Sequence, residues 1–97
     1  MDILKLIEEI RGYRKQLNVE REGEHLHSNY QEVMAVMWRV SALREEIAYL
    51  ELMGTATPQE KKFRTTILDP FIDTLHDMAT FESRKITAKG IEAKVDR

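Results

Sequence analysis

Residues 33–53 read VMAVMWRVSALREEIAYLELM, and this stretch decides the fold. Val33, Val36, Val40, Leu43, Ile47 and Leu50 recur at alternating steps of three and four, which places them on one face of an α-helix as a short heptad seam. Met34, Met37, Trp38, Ala42, Tyr49, Leu52 and Met53 widen the apolar region well past that seam. Only Arg39, Arg44, Glu45, Glu46 and Glu51 are left as a solvent strip. A helix this apolar needs cover on two sides.

Upstream, Ile3, Leu6, Ile10, Tyr13 and Leu17 predict a helix from about Ile3 to Arg21 with a narrow apolar stripe. The pattern breaks into a charged connection over residues 18–28, and Ser28 or Asn29 is placed to cap the second helix, which runs to about Met53. Downstream, Gly54 stands at the expected C-terminal position. Thr57 and Glu60 then form a capping-box pair, and Pro58 falls on the first helical position, where its missing amide proton is not needed. A third helix therefore begins at Pro58 and runs to about Lys85. Pro70 predicts a kink or restart at Leu68 or Asp69, with Asp69 capping the restart. Residues 86–97 contain Gly90 and few apolar positions, so they read as a short frayed helix or a tail. The expected architecture is all-α: a long antiparallel helical hairpin plus a third helix kinked near Pro70, in a single domain over 1–97.

Composition narrows the function classes. The 97 residues include 15 Lys plus Arg and 17 Asp plus Glu, a net charge of −2 that gives no overall basic field for nucleic acid. There is no cysteine, which removes disulfides and thiolate chemistry and suits the cytoplasm. The charged residues interleaved near Met1 predict neither a signal peptide nor a membrane span.

Several side-chain groups carry the residue types of a chemical site. His25 and His27, with Glu22 and Glu24, have metal-ligating chemistry, but alternate loop positions supply too few convergent ligands, and solvated histidines are the plainer account. Asp73, His76 and Asp77 share one helical face, which equally describes the polar outside of an amphipathic helix. Glu45, Glu46 and Glu51 with Asp69, Asp73 and Asp77 invite comparison with the all-α, magnesium-dependent nucleotide pyrophosphohydrolases. That family's motif places a further Glu one turn after the paired acids and then Glu-x-x-Asp. Here Tyr49 and Leu50 occupy the turn and no Glu-x-x-Asp follows. No nucleophile in a Gly-flanked turn and no phosphate-cradling loop is present. The favoured reading is therefore non-enzymatic, with no cofactor and no metal, and a magnesium-dependent all-α nucleotide hydrolase using Glu45, Glu46, Asp69 and Asp73 is kept as the second alternative.

Two binding readings remain. Lys61, Lys62 and Arg64, with Arg84, Lys85 and Lys89 in the basic C-terminal region, are candidates for a small nucleic-acid-binding regulator. The favoured reading is a protein-interaction module of the adaptor or inhibitor type, such as phage or plasmid accessory proteins. Its surface comprises Met34, Met37, Trp38, Tyr49, Leu52 and Met53, and its partners are a second copy of the chain and another protein. The reason is one of supply: the first and third helices can cover one long side of the second, and the C-terminal stretch is too polar to cover another. Leaving such side chains in water forgoes about 1.5–3 kcal/mol of burial free energy apiece.

Overall fold

The computed structural model describes residues 1–19 and 30–81, and every described element is helical. The predicted cap positions Ser28 and Asn29, the loop residues His25 and His27, and the stretch from Glu82 to Arg97 lie outside the described residues.

Helix α1 covers Ile3–Gln16, and the Asp2 carboxylate accepts the Lys5 amide proton to cap it. It is shorter than the periodicity suggests, because Asn18 takes the left-handed conformation (φ 57°) and stops it. The Asn18 amide donates to the Lys15 carbonyl and the Val19 amide to that of Arg14, satisfying carbonyls that the helix end would leave unpaired. Val19 turns inward and is buried. Helix α2 covers Tyr30–Leu52 and closes the same way, with Gly54 (φ 72°) supplying the left-handed residue and Thr55 donating to the Leu50 carbonyl.

The third helix starts on the predicted capping box: Glu60 donates its amide to Thr57 Oγ1 while its carboxylate accepts the Thr57 amide. It is α-helical over Pro58–Phe63, widens into a π turn over Arg64–Leu68, and is α-helical again over 69–81. The third helix is thus kinked near Pro70 as the sequence predicts, but as one continuous helix with no restart capped by Asp69. Asp69 keeps helical angles (φ −60°, ψ −47°), and its amide reaches back to the Arg64 carbonyl. Pro70 has no amide proton, and its ring would strike the Thr66 carbonyl in a regular helix. The wider turn just upstream absorbs that conflict without breaking the rod. The hydroxyls of Thr65 and Thr66 donate back to the Lys61 and Lys62 carbonyls, a pattern that goes with bent helices.

The three helices run up, down and up. Tyr13 lies beside Arg39, and the start of α1 shares a cleft with Leu43 and Glu46 further along α2, so α1 and α2 are antiparallel. The amino terminus of Met1 meets Glu60 and the Arg14 guanidinium lies over the Phe71 ring, so α1 and the third helix are parallel. Between them sits the core: Ile10 and Leu17 from α1, Val33, Val36, Val40 and Ile47 from α2, and Phe63, Leu68, Phe71, Leu75 and Met78 from the third helix. The α2 seam is the shared wall of this core, although its outer members Leu43 and Leu50 are only half-buried.

Ile47 is fully buried in that seam. Replacing it with Asp places an unpaired charge among apolar side chains, at a cost of several kcal/mol, on the order of the whole stability of so small a protein. Ile47→Asp is expected to abolish the cooperative thermal transition seen by circular dichroism.

Candidate functional site

The outer face of α2 is the feature that the core does not explain. At about 100° per residue, Met34, Trp38, Glu45, Tyr49 and Leu52 centre about 140° round the helix from the buried seam. Trp38 is 74% exposed, Tyr49 61%, Leu52 83% and Met53 59%, so four large apolar side chains stand in solvent along one helix and the turn that ends it. Met34 is half-buried. Met37 departs from the expected surface set: it is only 8% exposed and belongs to the core, forming part of a shallow groove with Met34, Trp38, Ser41, Ala42 and Glu45. Several large apolar side chains exposed along one helix face are a feature of interaction surfaces more than of ordinary monomer exterior.

The charged residues of α2 do not form the single solvent strip that the sequence suggests; they divide between its two flanks and the outer face. On the flank toward the third helix, Arg64 donates from Nε and Nη2 to both oxygens of Glu51 and from Nη1 to Asp69 Oδ2 at 2.9 Å. Arg44 Nε stands 3.1 Å from Asp69 Oδ1, close enough for an ion pair but without hydrogen-bond alignment. The Arg64 hydrogen bonds hold the Glu51 carboxyl below the usual glutamate range, and the same bonds raise the Arg64 guanidinium further. On the other flank, Arg39 lies beside the Tyr13 hydroxyl, which donates to Glu9 at 2.6 Å. Partial burial and the Glu9 carboxylate push the Tyr13 phenol up. Among the described residues, Glu45 and Glu46 have no ion-pair partner.

These pairings bear on the other candidate sites. Glu51 and Asp69 are engaged by arginines rather than grouped with Glu45 and Glu46, and no three metal-ligating side chains converge among the described residues. Asp73, His76 and Asp77 are all exposed on the outer face of the third helix. Lys61 and Lys62 are exposed, but Arg64 turns inward to Glu51 and Asp69 instead of standing with them; Arg84, Lys85 and Lys89 lie outside the described residues. No described helix is long and apolar enough to cross a membrane. No family model matches the chain, and neither the curated proteins nor the solved structures yielded a similar one.

Two glutamates tie the bundle's polar seams. The Thr57 backbone amide and hydroxyl, joined by the amino terminus, lower the Glu60 carboxyl as Arg64 lowers that of Glu51. A carboxylate lowered on folding contributes stability that is complete above its ordinary value of 4.5 and is lost as pH falls through the lowered folded value. The melting temperature is therefore expected to stay level from about pH 7 to about pH 5 and to fall below that. Glu51→Gln should lower it at neutral pH and flatten the acid limb in the same series of melts.

Proposed function

We propose that this chain is a non-enzymatic protein-interaction module that works through the outer apolar face of α2. The observation that carries this reading is the position of Trp38: a large aromatic side chain, three-quarters exposed, on the side of α2 away from its own core. Trp and Tyr offer wide, rigid contact area at low conformational cost, and they dominate the binding energy of protein interfaces. Here they stand about three helical turns apart on one line with Leu52 beyond them, the arrangement by which a helix docks against an apolar groove or another helix. Ala35, Ala42 and Ala48 stand among or beside them and let a partner backbone approach. The work done is occupation of a surface, as adaptors and inhibitors do, and it requires no bound cofactor. Engagement of Glu51, Asp69 and Arg64 with one another favours this reading over phosphate or metal chemistry at those residues.

Trp38→Glu tests it. The variant is expected to keep a melting temperature within a few degrees of the parent, since substitutions of exposed side chains usually change stability by about 0.5 kcal/mol or less. It should also lose the proteins, including tagged copies of the chain itself, that the parent retains in affinity capture. Collapse of the fold would place Trp38 in the core, and an unchanged capture profile would move the binding surface elsewhere.

A further inference from the structure

The partner that this face fits best is a second copy of itself, and we infer that two chains pair through α2 in antiparallel register about a two-fold axis level with Leu43. This rests on the outer face being a protein-binding surface, and it adds who binds there and how. In an isologous antiparallel pair, each side chain meets the same flank of the other copy at the mirrored height. About an axis at Leu43, Trp38 comes level with Tyr49 of the other chain, Met34 with Leu52, and Ser41 with Glu45, all within about one residue rise of 1.5 Å. Large apolar side chains thus face each other at both ends, while Ser41 and Ala42 leave room at the crossing point.

Charge supports the same register. Arg39 and Glu46 are both exposed on the flank of this face toward α1, and Glu46 has no ion-pair partner among the described residues. The same axis brings Arg39 of each copy to the height of Glu46 of the other, giving two reciprocal ion pairs at the rim. A parallel pair would instead bring Glu45 level with Glu45 at the centre of the face and set Arg39 of one copy on the opposite flank from Glu46 of the other, so that neither rim ion pair could form. The available area is also of the right size. Trp38, Tyr49, Leu52 and Met53 together expose roughly 600 Å² per protomer, so covering all of it in two copies would bury up to about 1,200 Å², the lower edge of the range for specific interfaces.

The absence of cysteine makes the register directly readable. Met34→Cys and Leu52→Cys chains are prepared separately, then oxidised alone and as a mixture. A 34-to-52 disulfide that forms only in the mixture is the expected result, because in the antiparallel pair two copies of either position lie several helical turns apart. A 34-to-34 disulfide from the first variant alone would establish the parallel pair and overturn the inference. As a second reading, Arg39→Glu and Glu46→Arg should each weaken self-association several-fold in sedimentation equilibrium. Mixing the two variants should restore it, since each of the two rim contacts in the mixed pair would again join one acidic to one basic side chain. A parent chain that sediments as a monomer up to about 500 μM, a concentration that would reveal even sub-millimolar association, would end the second-copy assignment. The docking surface itself would still stand in that event if capture of other proteins remained sensitive to Trp38→Glu.

Discussion

The structure depends on the burial of one seam of α2 between two parallel helices. Val33, Val36, Val40 and Ile47 are nearly inaccessible to solvent and form the common wall against which α1 and the third helix pack. Burying apolar surface is the dominant favourable term in folding, and a chain this short has little of it to spare. Every other device serves that seam: the left-handed Asn18 and Gly54 stop helices at their ends, and the Thr57–Glu60 box starts the third at the height where it can return along α2. Three helices can surround a line, but they cannot surround a helix. Once α1 and the third helix occupy two flanks of α2, its far side is left uncovered by any described element.

Polar residues show how differently similar side chains can be used. Glu45, Glu46 and Glu51 are close in sequence, but a turn of 100° per residue sends them to different surroundings. Glu51 meets Arg64, Glu46 borders α1, and Glu45 lies in the apolar outer face. The Glu51–Arg64–Asp69–Arg44 chain of contacts joins α2 to the third helix at the π turn. It is half-buried, and the carboxylates and guanidinium groups largely satisfy one another there. Such a cluster fixes the relative height of two helices more than it adds net stability.

Much of this was legible in the residues. The three-four spacing of Val33 to Leu50 announced the seam, and Pro58, Glu60 and Gly54 marked helix ends, because each acts through local backbone chemistry. What escaped was non-local or ambiguous in kind. The break in pattern from Asn18 was visible, but the left-handed turn that ends α1 there was not, since Asn18 and its neighbours are also compatible with a helix running on to Arg21. Met37 sits beside Trp38 and looks equally available, yet one position round the helix separates core from solvent. Arg64 read as one of three basic residues open to phosphate, since no sequence pattern shows that a guanidinium will meet a carboxylate thirteen residues away. The conflict at Pro70 was visible, but its resolution was not, because a periodicity of 3.6 has no way of expressing a turn that is locally wider.

That wider turn has a consequence for how the chain tolerates changes in length. In a regular helix Phe63 and Leu68 would point in directions about 140° apart, yet both are buried on the same side. The π turn therefore acts as one surplus residue, which resets the phase so that Phe71, Leu75 and Met78 continue to face the core. Loss of a single residue from 64–67 would keep those three side chains in step with Phe63 while returning the Pro70 ring to the carbonyl it now avoids. An added residue would instead swing the whole distal half of the rod away from its neighbours. The segment is thus asymmetric toward length change: it has slack for shortening and none for growth.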